Sequence, residues 1–298
     1  MHFSRIHCEI LGLPVPGDSS NRDIPLFPAN LDQDQDTPHV DSLDRTSRTP
    51  LSWAAQRGDG EWCTKLLERG ANMFLVDTEG NSALHYSVQA RGPHALRALL
   101  RHFHAVESYR PSNLNISNNG GWTPLHHAAY YQDDPAFVTL LISSRANINA
   151  VTKVGKTPAM MAALCKRPRS LRVLIEHHAN LNVTDKNGWN ALKLAILNSP
   201  ADAVCVGLLV GASGVDLSPD QGEDGETVLH FVARKPAVDI FDALKEVVRR
   251  KLVDPSERNR EGLTAMEVLE RSERVLAAKR IGDERLVEGF RELINVSL

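Results

Sequence analysis

Gly121-Trp122-Thr123-Pro124-Leu125-His126-His127-Ala128-Ala129 reads as a tight turn running straight into a short helix. The Thr123 hydroxyl stands where a side chain caps the orphan N–H groups of a helix start. Pro124 follows at the first helical position, where its missing N–H costs nothing and its fixed φ suits the helix. Leu125 points to a core, and the small pair Ala128-Ala129 lets a second helix approach closely.

The stretch recurs. Positions equivalent to Pro124 are Pro50, Ala83, Pro158, Ala191, Val228 and Ala265, and the seven are spaced 33, 41, 34, 33, 37 and 37 residues apart. Thr49-Pro50-Leu51 leads to Ala54-Ala55, Leu66-Leu67 and Gly70-Ala71-Asn72. Ser82-Ala83-Leu84-His85 leads to Leu99-Leu100, and Thr123-Pro124-Leu125-His126 to Leu140-Leu141 and Ala146-Asn147. Thr157-Pro158-Ala159 leads to Leu174-Ile175 and Ala179-Asn180, and Asn190-Ala191-Leu192 to Leu208-Leu209. Thr227-Val228-Leu229-His230 is a sixth copy and Leu263-Thr264-Ala265-Met266 a degenerate seventh. From about residue 44 onward the chain resembles the ankyrin-repeat family, whose unit is a turn plus two antiparallel helices with a period near ~33 residues.

The resemblance implies an all-α repeat solenoid of stacked helix-turn-helix units with β-hairpin-like loops. Residues 44–298 would hold about six repeats and a degenerate C-terminal capping repeat. Residues 1–43, rich in Pro (Pro14, Pro16, Pro25, Pro28, Pro38) and Asp (Asp18, Asp23, Asp32, Asp34, Asp36, Asp41), bury too little apolar surface to offset their ordering entropy and read as a flexible lead-in. The 41-residue step after the second repeat puts extra residues in His102–Pro111, expected on a loop. The run from Arg274 to Ile294 reads as a terminal capping helix pair, charge-rich on one face.

With a net charge of −3, the chain has no general electrostatic case for nucleic acid or an anionic membrane. Cys8, Cys63, Cys165 and Cys205 lie far apart with no C-x-x-C pair, which suits a reducing compartment, cytoplasmic or nuclear. No apolar run reaches the ~18 residues of a membrane span. The apolar run in Met1–Leu13 is broken by Glu9 and is too short for a secretion signal, so the sequons beginning at Asn115, Asn182 and Asn295 are taken as chance.

Catalytic and cofactor motifs fail one by one. Val154-Gly155-Lys156-Thr157 looks like the end of a phosphate loop, but position 150 is Ala150 where that loop needs Gly, and the stretch is in register with the repeat turn. The pairs His126-His127 and His177-His178, and His102 with His104, lack the converging spacing of a zinc site. His85, His126 and His230 occupy the family's T-P-L-H position, where the resemblance implies a structural hydrogen bond across the turn. Neither a nucleophile elbow nor H-E-x-x-H occurs, and acid pairs such as Asp133-Asp134 and Glu223-Asp224 lie in turns. The expectation is no enzyme, no cofactor and no metal.

Ankyrin repeats usually meet partner proteins through hairpin tips and the concave face of the inner helices. Carried over repeat by repeat, those positions are Asn119, Trp122, Tyr130 and Tyr131, then Lys153 and Lys156 with Leu164 and Cys165, then Lys186 and Trp189. Aromatics beside cations have the composition of interface anchors. The flanking tips carry acids: Asp77 and Glu79 on one side, Glu223, Asp224 and Glu226 on the other. In the alternative reading, Trp122 and Trp189 pack only on neighbouring tips. The expectation is a monomeric binding module for a protein with an acidic and apolar patch. Its alternative is an adaptor or regulatory subunit in a transcriptional, ubiquitin-ligase or biosynthetic-enzyme complex, whose N-terminal segment holds a second factor. Asn149 and Asn182 resemble hairpin asparagines that some ankyrin proteins have hydroxylated, although Asn is also a common turn former.

Overall fold

The computed structural model describes residues 40–106, 110–197, 203–215, 225–234, 236, 238–249, 254–272, 275 and 284–295. The chain divides into two compact units, Met1–Lys153 and Val154–Leu298. Most of the Pro/Asp-rich lead-in, residues 1–39, lies outside the described residues.

The first unit contains α1 (Pro50–Arg57), α2 (Gly60–Glu68), α3 (Ala83–Ser87), α4 (His94–Ala105), a 3-10 turn (Pro111–Asn115), α5 (Pro124–Tyr131) and α6 (Pro135–Ser143). The capping chemistry of the sequence is realised: Thr49 Oγ1 accepts from Ser52 N at 3.1 Å and Asp59 Oδ1 from Trp62 N at 3.0 Å. Helices α1 and α3 pack in an inner layer and α2 and α4 in an outer one. Leu51, Ala54, Ala55, Leu84, Leu125, Ala128, Ala129 and Phe137 are fully buried between the layers. The small alanines face the next layer, as close packing of helices requires.

The insertion after the second repeat falls differently from expectation. Helix α4 is 12 residues long against 9 for α2 and α6, so part of the extra length extends the outer helix. The five-residue 3-10 turn takes up more, and Leu114 anchors it at 0% exposure. A helix can lengthen at its end without disturbing the stacked interface.

At the start of the array, the Arg48 guanidinium lies 3.6 Å from the Trp53 ring centroid and 4.0 Å from that of Tyr86. Trp53 Nε1 donates to Asp44 Oδ2 at 3.0 Å, and the Tyr86 hydroxyl donates to Asp77. The cation thus sits between a ring of α1 and a ring of α3.

The second unit contains α7 (Pro158–Leu164), α8 (Pro168–Glu176), α9 (Ala191–Leu197), α10 (Ala203–Gly211), α11 (Val228–Arg234), α12 (Val238–Arg249), α13 (Ala265–Arg271) and α14 (Arg285–Asn295). Helices α7, α9, α11 and α13 pack in sequence, and α8, α10, α12 and α14 form the other layer. Among the described residues of the expected capping pair, α14 is the helix seen. It buries Val287, Phe290 and Leu293, and Phe290 meets Phe241 of α12 edge to face at 5.5 Å. Outside the helices the described backbone makes two isolated antiparallel bridges, Val76 with Ser82 and Arg258 with Thr264. No helix among the described residues is long and apolar enough to cross a membrane.

Candidate functional site

Four hairpin tips are built from the same side-chain device. Asp77 Oδ1 accepts from Glu79 N (2.9 Å) and Asn81 N (2.8 Å), and Asn118 Oδ1 from Gly120 N (2.9 Å) and Trp122 N (3.0 Å). Asp185 Oδ1 does the same for Asn187 N (2.9 Å) and Trp189 N (3.1 Å), and Asn259 Oδ1 accepts from Leu263 N at 3.0 Å. These are Asx turns, in which the short side chain takes the place of a backbone acceptor. Within each unit, one tip then bonds the next through the main chain. Asn119 N donates to Glu79 O at 2.9 Å, Lys153 N to Gly120 O at 3.0 Å and, in the second unit, Lys186 N to Val154 O at 3.1 Å.

The first unit holds five of the residues singled out from sequence. Asn119 is exposed and its Nδ2 donates to Thr78 O at 3.0 Å, so its amide fastens one tip to the previous one. Lys153 is exposed beside Gly120. Trp122 lies along α5: its ring is 5.5 Å from His127 and 5.3 Å from Tyr130, edge to face in both cases. Tyr130 meets Tyr131 at 4.9 Å, and Tyr131 meets His127 at 5.6 Å. Trp122 and Tyr130 are half-buried and Tyr131 is 45% exposed. The three side chains are therefore one continuous run of nearly perpendicular rings.

His127, part of the His126-His127 pair that lacks the spacing of a zinc site, lies beneath this run. It is buried, and Nδ1 has no hydrogen-bond partner among the described residues, while Asn118 Nδ2 is 3.5 Å from Nε2. Burial, then the neighbouring His85 and His126, holds its pKa down at about 3. It acts as a neutral aromatic ring. The adjacent pair His126-His127 was the only signal of it in the sequence.

The second unit holds the other three. Lys156 Nζ reaches the buried Asp185 Oδ2 at 2.5 Å, and the lysine side chain keeps only 20% exposure. This bond and the backbone N–H donors lower the Asp185 pKa against the opposing effect of burial. Lys156 thus has a structural task, fixing the next tip. Lys186 is exposed, and Trp189 is half-buried with its N–H on Asp185. Leu164 and Cys165 are half-buried, and Asn149 is exposed. Asn182 is exposed with its Nδ2 donating to Gly214 O at 2.7 Å.

The acidic flanks are corrected. Asp77 is buried because it builds its own tip, and Glu226 is buried in an ion pair with Arg234 at 2.6 Å. Glu79 is the exposed acid of the first tip, and Glu223 and Asp224 lie outside the described residues. The T-P-L-H histidines have the expected role. His85 Nδ1 accepts from Ser82 N at 3.1 Å and its Nε2 meets Trp122 O at 3.0 Å, while His230 repeats the pattern with Thr227 N (3.2 Å) and Leu263 O (2.9 Å). In the fifth repeat buried Lys193 replaces the imidazole, with Nζ 3.4 Å from Gly188 O and 5.2 Å from the Phe231 ring centroid. Among the described residues no group of three or more His, Cys, Asp or Glu converges on a point.

A family model of ankyrin repeats matches three times, over residues 26–109, 51–152 and 125–217. This chain belongs to the ankyrin-repeat family. Human inversin is 31% identical over 173 residues, which cover 56% of this chain and 16% of inversin. Human neurogenic locus notch homolog protein 1 is 28% identical over 182 residues, 57% of this chain and 7% of that protein. The chain therefore spans only a small part of the length of these relatives. Among solved structures, the ankyrin repeat domain of Bcl-3 superposes with a TM-score of 0.61 at 23% identity, covering 78% of this chain and 98% of that one. That likeness shows the fold. Ankyrin repeats are in general protein–protein interaction modules and typically non-catalytic.

Proposed function

We propose that this ankyrin chain is a non-catalytic binding module for another protein, with its main footprint on the inner-helix face and tips of the first unit. One observation carries the reading: the Trp122, Tyr130 and Tyr131 rings form a partly exposed run, and the exposed cation Lys153 is bonded through its backbone to the hairpin tip that leads into it. Aromatic rings bury much area at low entropic cost, and a nearby Lys selects acidic partners. Asn119 borders this surface, and Lys186 and Trp189 are the corresponding candidates in the second unit. Lys156 contributes through Asp185 and tip geometry rather than by direct contact. The array is taken as residues 44–298, monomeric, and working in the cytoplasm or nucleus, where the thiols stay reduced.

The test compares affinity capture by the wild type and by the double variant Tyr131→Ala, Lys153→Glu, with circular dichroism confirming that both fold. Proteins held by the surface should be lost with the variant by about 2 kcal/mol or more, the size of a hot-spot effect. Equal capture by both would place the footprint elsewhere.

A further inference from the structure

The exposed rim of the aromatic run suits a ligand that is apolar, extended and acidic at one end. Proline-bearing segments dock on aromatic-lined surfaces because they give up little conformational freedom. The chain itself contains such a segment. Pro25-Leu26-Phe27-Pro28 has the P-x-x-P spacing with two apolar side chains inside it, and Asp32, Asp34 and Asp36 follow. Its chemistry is that of the partner that the surface selects.

Charge sets a direction. Asp133 and Asp134 follow Tyr131 at the C-terminal end of α5, whereas Lys153 lies at the tip end. The acids 32–36 are repelled by the first group and attracted by the second, so the prolines would cover the rings and the acids would run toward the tip. The chain then re-enters the described residues at Val40 and Asp41. Asp41 accepts from Asn72 N at 3.0 and 3.2 Å, in the loop that leads to the first tip.

Length permits it. Twelve residues from Pro28 to Val40 span at most ~40 Å. Two repeats along the inner layer, at roughly 8–10 Å each, and the length of α5, about 12 Å, amount to less than that.

We propose that residues 23–36, which lie outside the described residues, bind the Trp122–Tyr130–Tyr131 surface of their own chain and compete there with the external partner. This rests on the surface being a binding site. Because the segment is tethered, even a weak contact holds the site at a high effective concentration.

The experiment uses the full chain with Pro25→Ala, Phe27→Ala and Pro28→Ala together. Hydroxyl-radical footprinting should show Tyr131 and Trp122 oxidised at least threefold faster in this variant than in the wild type. A synthetic peptide of residues 21–38, added to the triple variant, should bind, as read by fluorescence anisotropy, and adding Tyr131→Ala should weaken it at least tenfold. Unchanged oxidation with no peptide binding overturns the proposal, as does peptide binding that Tyr131→Ala leaves unaltered. If the peptide fails while Tyr131→Ala, Lys153→Glu still loses captured proteins, the tail proposal falls and the binding surface stands.

Discussion

At the scale of single residues, the first unit buries imidazoles that must stay neutral. The His85 ring accepts at Nδ1 from Ser82 and meets the Trp122 carbonyl with Nε2, and burial holds its pKa at about 4. His127 is held at about 3. In the unfolded chain both take up a proton near the ordinary histidine value of 6.5. The unfolded state therefore binds more protons below that pH. The stability they contribute is complete above pH 6.5, declines as pH falls toward 4 and, for His127, toward 3. Replacing His127 by Phe keeps a ring against Trp122 and Tyr131 and removes both the proton site and the unpartnered Nδ1. His127→Phe should raise stability at pH 7 by about 1 kcal/mol, the cost of an unsatisfied buried group. The gain should be larger at pH 5. Urea midpoints at the two pH values check this, and a gain that does not grow on acidification would show that His127 is already protonated when folded.

At the scale of the element, the hairpin tip is the unit that sets repeat spacing. Gly121 has φ +78, and a Cβ there would lie 2.6 Å from Lys153 N. Both the left-handed backbone and the contact demand glycine. Gly121→Ala should cost about 3 kcal/mol in chemical denaturation, since strain and a backbone clash add. A loss below ~1 kcal/mol would mean that the tip adjusts freely. The turn glycines and the Thr-Pro helix starts were legible in sequence because their chemistry is local. The side-chain partners of the tips were not. Lys156 meets Asp185 across 29 residues, and nothing in a one-dimensional pattern separates an anchoring lysine from an exposed one such as Lys153. Asp77 and Glu226 were read only as acids of the flanking tips, and the pattern did not show that Tyr86 and Arg234, nine and eight residues further on, take up their carboxylates.

At the scale of the molecule, each repeat relies on its neighbours for a core, so a terminal element matters beyond its own contacts. In the second unit α14 covers α12 and α13, with Phe290 fully buried against Phe241. Phe290→Ala should cost about 4 kcal/mol by leaving a cavity. Hydrogen exchange should accelerate first in α12 and α13, and unchanged exchange there would assign the capping role to another segment. Binding belongs to this scale too. The repeat period and the local caps determined the fold from sequence alone, because helix starts, turns and small-residue packing are encoded within a few neighbouring residues. Sequence also located Trp122, Tyr130 and Tyr131 as candidates. Only the tertiary structure decided that they form one run over His127, that Lys156 is committed to Asp185, and that the insertion lengthens α4. Those outcomes depend on which side chains meet across repeats, and distance along the chain carries no record of that.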